Sequence, residues 1–241
     1  MEACLHTYRP LDRELTTLHQ QIVQMGGLVQ KQLADALGAL VQRDPELARH
    51  TIERDDDVDR QEVAIDDFCI RLLVRYQPTA RDLRLVTTGL KITTDLERIG
   101  DLAVDICDCA LPLIAEPPLL PLIDISAMAL IAARMVRESL DAFVREDTAL
   151  AVRLCSDDDE VDALHHQLVR VLLTYMVENP RTVSRVIRLL FVAKCLERIA
   201  DHATNIAEMI VYMVRGKTIR HLAPPPDCLP SLTGMGEGPF V

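Results

Sequence analysis

The sequence predicts an all-α protein built as two tandem three-helix bundles related by internal duplication. Three observations carry that expectation. Hydrophobic residues make up 49% of the 241, supplied by Leu, Ile, Val and Ala, the filling of helix–helix cores. Aromatics are 3%, Trp is absent and there are only 9 Gly, so no series of short strands with Gly-rich turns is visible. The second half of the chain also repeats the first, block by block and in the same order.

The helices follow from punctuation and period. The first covers about 7–42. Asp44-Pro45 then reads as an N-cap followed by Pro at the first helical position, opening a helix over 45–76. Gln77-Pro78 breaks the chain, because a residue before Pro avoids the α region, and a third helix covers 79–111. Glu116-Pro117-Pro118-Leu119-Leu120-Pro121 cannot continue a helix, since Pro lacks the donor N–H and clashes with the preceding turn. Beyond it come 122–145, 148–178 behind Asp147, and 181–215 behind Asn179-Pro180. The units are therefore 1–116 and 122–218. Residues 222–241, rich in Pro and Gly, read as a disordered tail.

Comparing Asp44–Asp59 with Asp147–Asp162, a shift of 103, gives 7 identities in 16 positions, including Asp44/Asp147, Asp55/Asp158 and Asp59/Asp162. Further on, at a shift of 100, Leu96-Glu97-Arg98-Ile99-x-Asp101 matches Leu196-Glu197-Arg198-Ile199-x-Asp201. A change of shift between blocks fits a loop of different length in each copy.

A formal net charge of -11 repels phosphate backbones, so nucleic-acid binding is not expected. The seven cysteines are odd in number and lack a CxxC, which fits a reducing compartment and no disulfide framework. There is no N-terminal apolar segment of the signal-peptide kind and no apolar run that spans a bilayer. A cytoplasmic protein is expected, meeting membranes only through partners.

The acidic residues are not scattered. Glu97, Asp101, Asp105 and Asp108 lie at i, i+4, i+8 and i+11, within roughly 80° of one another on one helix face. Ile92, Ile99, Leu102 and Ile106 lie opposite and should face the core. The second copy answers with Glu197, Asp201, Asn205 and Glu208. Asp55, Asp59, Glu62 and Asp66 form another stripe on the preceding helix; its counterpart keeps Asp158 and Asp162 and then turns to His165 and Val169. Such rows are commonly solvated faces, and Arg98 and Arg198 can pair with Asp101 and Asp201. Like charges at i,i+4, however, cost a helix about 0.2–0.5 kcal/mol per pair. Bound cations would offset that cost, and carboxylate oxygens select hard ions such as magnesium, calcium, manganese or ferric iron. His202, next to Asp201, reads equally as a ligand or as a hydrogen-bonded side chain. No GxSxG, P-loop or GxGxxG is present, so no catalytic residues are assigned and an enzyme is not expected. Glu-x-x-His, the di-iron bundle motif, is also missing.

The two LERIxD blocks, Pro78-Thr79-Ala80-Arg81-Asp82-Leu83-Arg84 and the ending Gly216-Lys217-Thr218-Ile219-Arg220-His221 resemble the PhoU family of phosphate-signalling regulators over roughly residues 1–221. The resemblance implies two three-helix bundles side by side and multinuclear metal sites of more than one metal identity (iron, zinc, manganese, magnesium or calcium). The ligands it implies are Glu97, Asp101 and Asp105, and Glu197, Asp201 and Asn205, with Asp55, Asp59 and Glu62, and Asp158 and Asp162, from the facing helices. It further implies negative regulation of the phosphate-starvation response, by linking a phosphate ABC transporter to a sensor histidine kinase, and a homodimer. The competing expectation is a metal-storage or redox protein on a carboxylate bundle.

Overall fold

The computed structural model describes residues 5–119 and 123–219. The reading of 222–241 as a tail lies outside them. Among the described residues seven α-helices run in order: α1 (Leu5–Gln42), α2 (Pro45–Glu53), α3 (Asp55–Tyr76), α4 (Ala80–Ala115), α5 (Ile123–Arg145), α6 (Thr148–Glu178) and α7 (Val183–Arg215). A short 3-10 turn, Pro180–Thr182, precedes α7. No strand occurs among the described residues. α1 to α4 form one bundle and α5 to α7 the other, as the duplication requires.

The duplication is repeated in backbone geometry. Arg43 and Glu146, 103 residues apart, both take a left-handed conformation, with φ of 58° and 51°. The following residue then closes a six-residue turn on the helix just ended: Asp44 N–H donates to Ala39 O at 3.0 Å, and Asp147 N–H to Ala142 O at 2.9 Å. Each Asp next caps the following helix. Asp44 accepts from the N–H of Glu46 and Leu47, and Asp147 from those of Ala149 and Leu150. Asp147→Ala should lower stability by about 1 kcal/mol, read as a shift in the urea midpoint with unchanged slope.

One expectation needs correction. The helix read over 45–76 is interrupted at Arg54, whereas α6 runs unbroken through the matching place. The chemistry opposite the break differs between the copies. In the second bundle Arg134 of α5 donates to Asp157 at 2.9 Å and clamps α6. In the first, the corresponding pair is Lys31 and Arg54, two cations lining one small cleft, and no such clamp forms. The restart at Asp55 puts Asp55, Asp56 and Asp57 in the first turn of α3, where the helix dipole favours negative charge. The third helix also runs further than 79–111, through Pro112 to Ala115. Pro112 lies in the final turn, so the helix carries on for only three residues beyond it.

The bundles meet along two antiparallel seams. Between α1 and α5, an added Cβ at Gly26 would lie 2.6 Å from Leu140 Cδ2, so glycine permits the close approach. Further along, the His19 ring stacks on Phe143 with centroids 4.6 Å apart. Between α4 and α7, Arg84 Nε donates to Met213 O at 3.2 Å at one end, and Arg185 Nη1 to Pro117 O at 2.7 Å at the other. Arg81 reaches Glu146 at 2.6 Å and ties the bundles together. Ile92, Ile99, Leu102 and Ile106 are buried, as their spacing requires. The acidic residues on the other side of α4 are left outside the core.

Candidate cation-binding faces

The first face lies between α3 and α4. Asp55, Asp59 and Glu62 succeed one another along α3, and Glu97 and Asp101 along α4. Their electrostatics show that they share one field. Burial pushes the Glu97 carboxyl up to about 7; the negative charge of Asp101 adds to this, Arg98 opposes it, and Glu62 and Asp59 add further. Asp55 is raised by burial and by Asp59, Asp101 and Asp56, against the hydrogen bond from Gln32. Glu62 is raised by burial and by Asp66, Asp59 and Asp101, with Arg98 again opposing. Five carboxylates from two helices thus lie within one electrostatic field.

Gln32 is the residue the sequence did not disclose. Its Nε2 donates to Asp55 Oδ1 at 2.7 Å, and its side chain is buried on α1. Gly100 lets this contact form: an added Cβ there would meet Gln32 Oε1 at 3.2 Å and Val58 at 3.4 Å. A buried Gln in an otherwise apolar helix face was the available signal.

The second face repeats the first with four carboxylates: Asp158 and Asp162 of α6, and Glu197 and Asp201 of α7. Asp158 is pushed up to about 6, by burial first and then by Asp201, Asp162, Asp159 and Glu197. Asp201 is raised by burial, Glu197 and Asp162, with Lys194 and His202 opposing. The partner expected for Asp201 was Arg198; Arg198 instead faces Asp105, where it opposes the rise that burial, Asp101 and Asp108 cause.

Three other residues stand apart from these groups. Asp105 continues the α4 row beside Asp101, at the edge that Arg198 reaches. Asn205 turns across the α4–α7 seam, its Nδ2 3.5 Å from Asp95 Oδ1. The same oxygen lies 2.9 Å from His202 Nδ1, so His202 takes the hydrogen-bonded role. Glu208 lies beside Cys155, whose thiol it helps to raise.

The donor chemistry of both faces, carboxylate oxygens without thiolates, fits hard cations. The present geometry is not that of a filled site. Among the described residues, no three His, Cys, Asp or Glu side chains are arranged to hold an ion as they stand. The reason is visible at the first face. Arg98 Nη1 donates to Asp101 Oδ2 at 3.0 Å, and Arg98 Nε lies 3.3 Å from Glu97 Oε2. That Glu97 oxygen is buried and makes no well-aligned hydrogen bond. Arg98 is 53% exposed, so releasing it costs about 0–1 kcal/mol. Lys194 holds Glu197 in the same way at the second face. Each face is carboxylate-rich and carries one exposed cation paired with its acids.

An all-α tandem repeat with a carboxylate face in each half defines a duplicated helical-bundle protein in which no catalytic constellation appears among the described residues. Residues 22–110 and 125–210 each match the PhoU domain, and the chain belongs to the PhoU family. It is 41% identical over 217 residues to the phosphate-specific transport system accessory protein PhoU of Escherichia coli (strain K12), covering 90% of each chain. It is 44% identical over 211 residues to the homolog from Aquifex aeolicus (strain VF5), covering 88% of this chain and 96% of that one. The crystal structure of PhoU from Pseudomonas aeruginosa superposes with a TM-score of 0.84 at 41% identity, over 86% of this chain and 99% of that one. The phosphate transport system regulatory protein PhoU from Streptococcus pneumoniae gives 0.81 at 29% identity, over 86% and 98%.

Proposed function

We propose that this chain is a cytoplasmic, metal-binding adaptor that holds the phosphate-starvation response off when phosphate is plentiful. It does so by coupling a phosphate ABC transporter to a sensor histidine kinase, and it acts as a homodimer. The observation that carries this reading is the family: relatives about 40% identical over 90% of the chain are named accessory proteins of the phosphate-specific transport system. No helix of the described residues is long and apolar enough to cross a membrane, which fits contact with membrane partners through protein surfaces.

The ligands in this reading are Asp55, Asp59, Glu62, Glu97 and Asp101 at one face, and Asp158, Asp162, Glu197 and Asp201 at the other. Asp105, Asn205 and Glu208 flank them. Bound ions supply positive charge that neutralises the carboxylates. The chain's own residues hold the helices in register and keep Arg98 and Lys194 ready to leave.

Deleting the gene should derepress phosphate-starvation transcripts at high phosphate, measured by quantitative RT-PCR; unchanged transcripts would overturn the regulatory reading. Protein purified without chelator should carry hard metal by mass spectrometry, and Glu97→Ala/Asp101→Ala protein should lose roughly half of it, one face of two. Equal metal in both would show that the acidic faces are only solvated.

A further inference from the structure

Away from the acidic faces, the start of α7 and the end of α4 enclose a broad groove of about 800 Å³. Cys109 of α4 forms part of its wall, with Arg181, Val183, Ile187, Arg188 and Phe191 around the start of α7. Ile187 and Phe191 lie one turn apart and are 41% and 61% exposed. Large apolar groups so exposed at helical spacing, with a concave wall beside them, mark a place where another apolar face seats.

The charge around this groove is opposite to that of the molecule. Arg185, between its two basic neighbours, is held by Glu116 and by Pro117 O. Among the described residues Arg181 and Arg188 make no ion pair, and Arg188 Nε is buried without a hydrogen-bond acceptor. The guanidinium groups of exposed Arg181 and half-buried Arg188 are thus left for a carboxylate to pair with. On a chain of net charge -11, two such arginines beside an exposed Ile and Phe form a local basic-apolar patch.

We infer that this groove receives an amphipathic helix of a partner protein, apolar along one side and acidic along its flank. Two other occupants fit less well. A second copy meeting the patch through the same patch would bring Arg181 and Arg188 against their own counterparts, and like charges so placed repel. An anionic membrane surface attracts basic residues by about 1 kcal/mol each, which two arginines cannot sustain against the repulsion of an acidic whole. An acidic helix meets both demands at once: apolar side chains one turn apart cover Ile187 and Phe191, and its carboxylates pair with Arg181 and Arg188. The inference rests on the adaptor reading, for which it supplies one docking surface.

The test is photocrosslinking in cells of the full chain carrying p-benzoylphenylalanine in place of Ile187, with the crosslinked peptide sequenced by mass spectrometry. The expected adduct is a segment of another protein that places acidic residues beside an apolar helical stripe. Its yield should fall at least tenfold with Arg181→Glu/Arg188→Glu, and likewise with Phe191→Ser, which changes only an exposed side chain. Adducts with a second copy of this chain, with lipid, or with a segment lacking acidic residues would overturn the assignment. So would no adduct, or a yield unchanged by both variants. If deletion derepresses the starvation genes while Phe191→Ser complements fully and loses no crosslink, the surface is wrong and the adaptor reading stands. If deletion changes nothing, the adaptor reading itself has failed.

Discussion

In buffer containing a chelator, this protein should melt at a higher temperature at pH 5 than at pH 8, and Glu97→Gln should remove most of that difference. The Glu97 carboxyl is pushed from 4.5 up to about 7 in the folded chain. The folded state therefore binds more protons than the unfolded state between those values, and stability falls as pH rises through that window. The contribution is complete below pH 4.5 and gone above pH 7. A displacement of this size corresponds to about 3 kcal/mol at most, with solvent screening reducing it. Asp158, pushed up to about 6, acts in the same direction between pH 3.8 and 6. At pH 8, where Glu97 is charged among four other carboxylates, Glu97→Gln should stabilise the chelated protein by about 2 kcal/mol. Most buried substitutions destabilise, so the sign is diagnostic. Differential scanning calorimetry across pH 5–8 reads it, and a variant less stable than the parent at pH 8 would contradict the shared field described here. If the cluster binds ions as proposed, magnesium or manganese at pH 8 should raise the parent's melting temperature more than that of Glu97→Gln, whose second face is intact.

The other large effect is expected at Phe143. Its side chain is fully buried, and its ring stacks on His19 with an interplanar angle of 13° at the seam between α1 and α5. Phe143→Ala removes a ring that both bundles enclose, and helices already held close by Gly26 cannot collapse far to fill the space. The loss should be about 3–5 kcal/mol, or about 10 °C in melting temperature for a chain of this size. Because the cavity opens between the halves, α1 and α5 amides should also lose hydrogen-exchange protection before those of α3 and α6. A drop below 1 kcal/mol, or uniform loss of protection, would show that the seam does not depend on this ring.

Most of the fold was legible in the sequence because its signals are local. Pro45, Pro78 and Pro180 mark helix starts, Asp44 and Asp147 are caps, and the aliphatic period names the buried face of α4. The acidic row along each helix was legible too, since i,i+4 spacing places its members on one face; that the rows of α3 and α4 share one field depends on the packing. What escaped depends on contacts across elements. The break at Arg54 needs the knowledge that Lys31 stands opposite, where the second copy has Arg134 against Asp157. Arg198 sits in the same motif as Arg98, yet the bundle interface turns it to Asp105, while Arg98 stays with its own Asp101. Asn205 stands in the acidic row of α7, and its contact with Asp95 exists only across the seam with α4. Gln32 shows no chemistry in sequence, because its role exists only once α1 lies against Asp55.

The seam between α4 and α7 has a consequence for how the halves communicate. Asp95 lies half a turn before Glu97 on α4 and touches His202, which directly follows Asp201 on α7. One rigid rod thus carries an acid of the first patch and a strut against the second, and the reverse holds for the other rod. A slide or roll that resets one patch must strain or relax that strut. The two patches are therefore joined through this one contact, and any free energy of coupling between them acts equally in both directions.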